Sequence, residues 1–521
     1  MKKWFCLGVY TLALVAVGAA QPFDTTGTHY GKNIHVDSLR KYLEVIASDE
    51  FEGRETGKKG QKMAAHYIAG HFERLGLQKP NDSTYYQPFN VKEVRIDGGS
   101  IIVGGKTFSF FSDFYFYEPL AARGLRNFKS LHFLGYGVDD SLYSDYATIA
   151  KVPETAIIWE GEPVKADGDF LLTGSELNTD WSKDFSKKLD AARNRGVRNL
   201  LIVNEDFGKA MKRMGFYLTM PRMTLPKENG KEPDMSVFYI SPSMAKAVLG
   251  KAYKPEKLRL QAGRGKAISF EVAAEGRIEV LKEGELIGTE NVLGMIEGSS
   301  LKDEYLILTA HYDHLGMQGD DVYNGADDDG SGTVALMEMA RVLAEARDQG
   351  YVPMRSVVFL AVSGEEKGLL GSDYYTRNPV YPLEQTVANL NVDMIGRNDD
   401  RYEPDSRYVY LIGSDKLSSV LHEISEKTNE ECCNITLDYK YNDPNDPNRF
   451  YYRSDHYNFI KNDIPAIFYF SGVHEDYHKP GDTADKIQYG KMRDVVALIF
   501  NTAWSIANTR REITVDVVDA P

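Results

Sequence analysis

Five short segments between His311 and His478 carry the side chain types that metal-assisted hydrolysis needs. They are Ala310-His311-Tyr312-Asp313-His314, Gly325-Ala326-Asp327-Asp328-Asp329-Gly330, Gly364-Glu365-Glu366, Asn391-Val392-Asp393-Met394 and Tyr477-His478-Lys479-Pro480. Each follows or adjoins an apolar run and offers a His or a carboxylate where a strand should end. A pair of divalent ions asks for such a set: neutral imidazoles, several carboxylates, and one carboxylate left over as a base.

Taken singly, each segment has a plainer alternative. His311 and Asp313 form a His-x-Asp at a strand end, a weak signal alone, whose functional reading is a metal-bound imidazole with a nearby carboxylate that orients it. His314 competes for the ligand role, but alternation along a strand points His311 and Asp313 the same way. The triplet Asp327-Asp328-Asp329 can cap the following helix and favour its dipole, and one of the three can bridge metals while its neighbours cap. Glu365 and Glu366 crowd two charges unless a cation or a proton relieves them, which a ligand beside a general base would do. Two solvated surface glutamates are the alternative. Asp393 directly follows an apolar strand, where an unpaired carboxylate is costly, so a metal or an ion pair must compensate. His478 sits in a Pro/Gly-rich loop, where an exposed histidine is the plainer reading. Ser454-Asp455-His456 has the residue types of a serine triad. Residues so close in sequence rarely converge as one, and no Gly-x-Ser-x-Gly elbow exists.

The elements that position these residues show in the apolar pattern. Leu306-Ile307-Leu308, Val357 to Val362, Leu390-Asn391-Val392 and Ala466 to Phe470 are nearly continuous apolar runs, as expected of parallel strands buried on both faces. The helix from Thr333 places Leu336, Met339, Ala340 and Leu343 on one face. His311, Glu365-Glu366 and Asp393 then fall at the carboxyl ends of strands, where open α/β sheets bind ligands. Residues 35–78 read as two helices. One opens at Val36-Asp37-Ser38; the other follows Gly60, with Met63, Ala64, Tyr67, Ile68, Phe72 and Leu75 at helical spacing; the turn Gly53-Arg54-Glu55-Thr56-Gly57 lies between. From about 110 to 280 the texture changes to short β-like runs (Ser130 to Leu134, Thr155 to Trp159, Asn199 to Val203, Ser236 to Ile240) with a helix at Lys187 to Arg195. None of the candidate ligands lies there, so it reads as a separate α+β module. The fold class expected is α/β, a mostly parallel central sheet flanked by helices, with this smaller module inserted. The expected boundaries are 1–20 for a signal peptide, 21–110 for the N-terminal part of the catalytic domain, 111–280 for the insert and 281–521 for the metal-binding part.

Composition narrows the function. At 521 residues two domains are expected, and 42% hydrophobic with 26% charged residues is an ordinary globular profile. A formal charge of −15 without a Lys/Arg block argues against nucleic acid as a partner. Lys2-Lys3, the apolar stretch Trp4 to Val17 and the small residues Gly18-Ala19-Ala20 read as a secretory signal cleaved before Gln21, giving an exported protein, periplasmic or extracellular. The alternative, a membrane anchor, suffers from the shortness of the apolar stretch, and no later segment is apolar enough to cross a bilayer. Cys6 lies too early in the stretch for a lipoprotein cysteine. Beyond the leader only Cys432 and Cys433 remain. Adjacent cysteines, bonded to each other or free, cannot staple distant segments, and thiolate ligation of metal is not expected.

Together the five segments resemble the co-catalytic dizinc exopeptidase family that includes bacterial leucyl-type aminopeptidases and glutamate carboxypeptidase. The helical stretch with Gly53-Arg54-Glu55-Thr56-Gly57 resembles the family's N-terminal part. Phe133-Leu134-Gly135-Tyr136-Gly137 through Trp159-Glu160-Gly161-Glu162-Pro163 resembles the protease-associated domain inserted in many members, and Asn291-Val292-Leu293-Gly294 resembles the entry into the second catalytic segment. The resemblance implies two zinc ions. It makes His311 the histidine of the first zinc and Asp393 its terminal carboxylate, Asp327 the bridging carboxylate, and Glu366 and His478 the ligands of the second zinc. Glu365 becomes the general base and Asp313 the partner of His311. The implied activity is a secreted zinc aminopeptidase acting on peptides. Rivals are a carboxypeptidase or dipeptidase of the same fold, a glutaminyl cyclase-like acyl transfer, and a non-catalytic receptor-like relative, which the intact ligand set disfavours. Between the first two, acids around the ligands (Asp320, Asp321, Asp328, Asp329, Glu365, Asp476) outnumber the bases (Arg397, Arg449, Arg453, Lys479). This leans toward recognition of a free ammonium rather than a carboxylate.

Overall fold

The computed structural model describes residues 25–517 apart from 81–82, 150–153, 227–231 and 404–405. The expected leader, with Cys6 and the expected cleavage before Gln21, lies outside the described residues. The chain forms two compact units: one comprises the residues up to Pro88 together with those from Glu290 onward, the other Phe89–Thr289. The second is broader than the texture change at about 110–280, because the long strands Tyr86–Val103 and Gly276–Ile296 pair within it with Lys106–Ser109 and Gly124–Phe128.

The first unit is built on a mixed sheet. Its strands are β1 (the end of Gly276–Ile296), β2 (Leu301–His311), β3 (Arg355–Val362), β4 (Thr386–Val392), β5 (Tyr408–Ile412), β6 (Thr436–Asp438) and β7 (Ala466–Phe470). Their order is β6-β5-β7-β4-β2-β3-β1. The centre is parallel: β3 with β2, β2 with β4, and β4 with β7. β1 runs antiparallel to β3, and β5 antiparallel to β7.

The apolar runs form these strands because both of their faces are covered. In β3, Val357, Phe359 and Ala361 enter one core while Val358, Leu360 and Val362 enter another. The main core lies under the helix Gly332–Asp348 (α3), which is buried on nearly all sides and packs on β2, β3 and β4. Helices α1 (Val36–Ile46), burying Leu39, Leu43 and Ile46, and α2 (Lys59–Arg74), burying Ala64, Ala65, Ile68 and Phe72, pack against α3. The C-terminal helix Tyr489–Asn508 (α4) adds Val495, Ile499 and Ile506 to the same core.

The second unit holds a six-stranded sheet whose middle strands, Leu131–Phe133, Thr155–Trp159, Asn199–Val203 and Ser236–Ile240, run parallel, with Phe270–Val272 and Phe114–Tyr115 antiparallel at its edges. The helix Phe185–Asn194 precedes the Asn199 strand as the sequence pattern predicts. Cys432 and Cys433 are bonded to each other. Among the described residues no helix is long and apolar enough to cross a membrane.

Candidate metal centre

His311 is the last residue of β2. Glu365 and Glu366 follow β3, Asp393 follows β4 directly, and His474 and His478 lie in the loop after β7. The Asp triplet occupies a distorted helical turn, Ala326–Ser331, that leads into α3. Parallel strands that end side by side bring their carboxyl-end loops together, which is why residues up to 167 positions apart meet here.

Two clusters that could each hold a cation result. In one, His311, Asp329 and Asp393 bring their ligand atoms within 4.8 Å of one another; in the other, His314, Asp328 and Glu366 do. His478 adjoins the second, with its Nε2 3.1 Å from Asp328 Oδ2 and 3.2 Å from Glu366 Oε2. His311 Nε2 stands 3.3 Å from Asp328 Oδ1 and 3.7 Å from Asp393 Oδ1. The carboxylate between the two imidazoles is therefore that of Asp328.

This corrects the expectation for Asp327. Its Oδ1 accepts from the Gly396 backbone N–H at 2.6 Å, and its Oδ2 lies 3.3 Å from His474 Nε2, so the side chain is aimed away from His311 and His478. Consecutive side chains of a turn diverge, and only one of the triplet can face both imidazoles. Asp329 takes the capping role: it accepts from Gly332 N at 2.9 Å and from Met394 N at 3.1 Å. The Asp328–Asp329 peptide is cis.

Asp313 sits beside His311, but the closest partner of His311 Nδ1 is the Asp313 backbone oxygen at 3.0 Å, with the carboxylate at 3.8 Å. The Asp313 carboxylate accepts instead from Thr56 Oγ1 at 2.7 Å and from the Glu365 backbone N–H at 3.2 Å. It thereby ties the ligand strand to the Glu365 segment. Glu365 Oε2 stands 3.9 Å from His311 Nε2, and Glu365 belongs to neither ligand set. Asp393 Oδ2 accepts from Ser454 Oγ at 2.7 Å. Ser454, Asp455 and His456 do not form a triad: Asp455 accepts from Ser372 and the His456 ring stacks on Phe468.

Further residues hold the centre together. Arg54 is fully buried in the Gly53-Arg54-Glu55-Thr56-Gly57 turn and donates to four backbone oxygens: Ile46 at 2.9 Å, Tyr312 at 2.8 Å, Asn324 at 2.5 Å and Gly325 at 2.8 Å. One guanidinium thus links α1, the residue between His311 and Asp313, and the entry to the Asp turn. Asp482 accepts from the backbone N–H groups of Asp327 and Asp328 at 3.0 and 3.1 Å, so the loop that carries His478 also fixes the Asp turn. Arg54, Met394 and His478 all take left-handed backbone conformations, which cost a non-glycine residue of order 1 kcal/mol and persist where surroundings over-determine them. Asp482 carries no sequence signal of its own, and Ser454 shows only within Ser454-Asp455-His456. Arg54 and Thr56 show only within a turn between two helices that resembles the family's N-terminal part.

The electrostatics fit a cation site. Burial pushes the Glu365 carboxyl well above the usual range, and Glu366, Asp393 and Asp455 add to this against the pull of His311. Burial also opposes charge on Asp328, Glu366 and His478, but their contacts win. Asp328 is held well below the usual range by His311, His314 and His478; Glu366 is pulled down to about 2 by His314 and His478; His478 is pushed up to about 10 by Asp328 and Glu366. Protons on His311 and His478 thus offset buried carboxylates, a task divalent cations take over when bound. His311 Nε2, Asp328 Oδ2, Asp329 Oδ2 and Glu366 Oε1 are buried without a hydrogen-bond partner, which in a protein interior calls for an explanation such as an ion.

A cleft opens beside Asp328, Glu365, Asp393 and His478. Its other walls are Met394, Phe450, Phe468, Phe470, Val473 and Tyr477, with Arg453 also lining it.

An α/β sheet with two His/carboxylate sets at the ends of its parallel strands defines a candidate metal-binding protein. Residues 291–503 match the sequence profile described as Peptidase family M28. Similar curated proteins include an aminopeptidase, YwaD, of Bacillus subtilis, 27% identical over 214 residues covering 40% of this chain and 43% of the relative. A probable zinc metalloprotease of Pyrenophora tritici-repentis is 28% identical over 267 residues, covering 43% and 54%. Aminopeptidase NAALADL1 of Mus musculus is 38% identical over 128 residues, covering 24% and 16%. The chain thus spans about half or less of the length of these relatives. Among solved structures, an aminopeptidase from Aneurinibacillus sp. strain AM-1 superposes with a TM-score of 0.53 at 18% identity over 95% of this chain and 99% of that one, a likeness of fold.

Proposed function

We propose that the protein is an exported zinc aminopeptidase that removes apolar residues from the N-termini of peptides. The observation that carries this reading is the convergence of His311, Asp328, Asp393, Glu366 and His478 around buried, unpartnered oxygen and nitrogen atoms, with Glu365 left over beside them. His311 and Asp393 would hold one ion, Glu366 and His478 the other, with Asp328 shared between them. A zinc pair so held supplies an acidified water and polarises the scissile carbonyl. Glu365 receives a proton at its carboxylate and returns one to the leaving amine, and its raised proton affinity suits that role. Asp313 orients His311 through its carbonyl and fixes the Glu365 backbone through its carboxylate. Met394, Phe450, Phe468 and Phe470 offer the first side chain of the peptide an apolar wall. Export rests on the N-terminal sequence and is tested by mass spectrometry of the mature N-terminus near Gln21.

One observation favours a carboxypeptidase instead. Asp476 is already paired with Arg397 at 2.6 Å and Lys486 at 2.9 Å, while the cation Arg453 lines the cleft. Assay of a short peptide with a leucine or phenylalanine N-terminus separates the two. Acetylating the N-terminus should abolish cleavage while amidating the C-terminus does little. The reverse pattern would make the protein a carboxypeptidase with Arg453 as the carboxylate clamp.

A further inference from the structure

His314 is absent from the five ligands named above, yet its imidazole is fully buried at the centre. Its Nδ1 lies 2.7 Å from Glu366 Oε1 and 3.8 Å from Asp328 Oδ2. Despite the short approach to Glu366, neither ring nitrogen of His314 nor Glu366 Oε1 makes an aligned hydrogen bond. Ligand atoms of His314, Glu366 and Asp328 all lie within 4.8 Å of one another, close enough to share one cation. Asp328 Oδ2 faces the same region from the Asp turn, 3.1 Å from His478 Nε2.

The fold holds this ring in place from several sides. Its backbone N–H donates to the Arg54 carbonyl at 3.2 Å. The ring faces Gly325, where a Cβ would lie 2.5 Å from His314 Cγ and Cδ2, so the turn that delivers Asp328 admits the imidazole only because residue 325 is glycine. The His478 ring meets it edge-on at 5.9 Å between centroids.

We propose that His314 is a third imidazole of the metal centre and bonds, through Nδ1, the ion on the Glu366 side. This rests on the two-ion reading above and adds a ligand to it. The donor set of that ion becomes His314, Glu366, Asp328 and His478, four residues against the three of the His311 side, beside which Glu365 stands. The division of labour would be one ion held more firmly for charge and one nearer the base.

The test uses the full mature chain, stripped with a chelator and titrated with zinc sulfate by calorimetry, and a crystal structure of the zinc-loaded wild type. The wild type should take up two ions, with His314 Nδ1 at about 2.0–2.1 Å from one of them, the zinc–imidazole distance. His314→Phe keeps the ring volume, and His314→Gln keeps a polar group. Both should bind one ion as the wild type does, which shows that they fold, and bind the second at least roughly 10–100-fold more weakly. A zinc-loaded structure in which Nδ1 merely hydrogen-bonds Glu366, outside bonding distance of either ion, overturns the proposal even if the variants bind weakly. Unchanged affinity for both ions in His314→Phe overturns it as well. A wild type that binds fewer than two ions removes the two-ion reading and this ligand with it.

Discussion

Replacing Arg54 by lysine keeps the charge and removes the fork. The guanidinium makes four hydrogen bonds at 2.5–2.9 Å to oxygens of Ile46, Tyr312, Asn324 and Gly325, all in a fully buried setting. An ammonium has three donors radiating from one point on a differently shaped stem, so it cannot reach carbonyls arrayed around a planar group. If two of the four are lost, at about 1.5–3 kcal/mol for a bond to a charged group, the cost is about 3–6 kcal/mol. That is a large share of a total stability of roughly 5–15 kcal/mol. At about 2 °C per kcal/mol for a large domain, the unfolding midpoint should fall by about 6–12 °C. The damage should also be local, because the freed carbonyls flank His311 on one side and the Asp turn on the other, so zinc affinity should fall with stability. Thermal unfolding followed by near-UV circular dichroism, with and without zinc, measures the first; calorimetric titration measures the second. A midpoint within about 2 °C of wild type and an unchanged zinc affinity would refute the view that this turn preorganises the centre.

Three further outcomes are expected. Glu365→Gln, nearly isosteric, should keep its zinc and fold while turnover drops roughly 10²–10⁴-fold, and near-normal turnover would mean another group carries the proton. Asp328→Asn should lose metal, whereas Asp327→Asn should keep both ions, since its Oδ1 can still accept from Gly396; metal analysis that finds the reverse returns the bridge to Asp327. The metal-free protein should show a pH signature in its unfolding midpoint. Burial lowers the His478 pKa, but Asp328 and Glu366 outweigh it and raise it from 6.5 to about 10, so its contribution is full below 6.5 and lost as pH rises through about 10. Glu366, disfavoured by burial but held down by His314 and His478, falls from 4.5 to about 2, so its contribution is full above 4.5 and lost as pH falls toward 2. Zinc, which displaces the imidazole proton, should remove the alkaline decline and bind more tightly as pH rises; an alkaline decline that persists in excess zinc would count against His478 as a ligand.

The strands that position the centre are legible because they are buried on both faces and so consist of unbroken apolar runs: Val357 to Val362 and Ala466 to Phe470 fall within or coincide with their strands. What escapes this signal has a mixed environment. Tyr86–Val103 and Gly276–Ile296 are long strands with many charged, partly exposed residues, so composition alone does not mark them. The helix Tyr489–Asn508 is buried nearly all round, which blurs the one-sided period that identifies a surface helix. The antiparallel pairing of Tyr408–Ile412 with Ala466–Phe470, which makes the sheet mixed rather than parallel throughout, is a matter of chain direction that residue type does not encode.

The Asp triplet shows where residue type stops and backbone geometry begins. The sequence offers three adjacent carboxylates and the chemistry needs one bridge and one cap; nothing in Asp327-Asp328-Asp329 ranks them. The turn does. Its distorted backbone sends Asp327 to the Gly396 N–H, Asp328 between His311 and His478, and Asp329 back to the Gly332 and Met394 N–H groups. That turn is in turn set from outside, by Arg54 on the Asn324 and Gly325 carbonyls and by Asp482 on the Asp327 and Asp328 N–H groups. The choice of bridging carboxylate thus depends on residues about 150 and 270 positions away in the chain. The ligand types could be read from five short segments, but the assignment among neighbouring carboxylates could not, because it is made by backbone hydrogen bonds that only the assembled fold supplies.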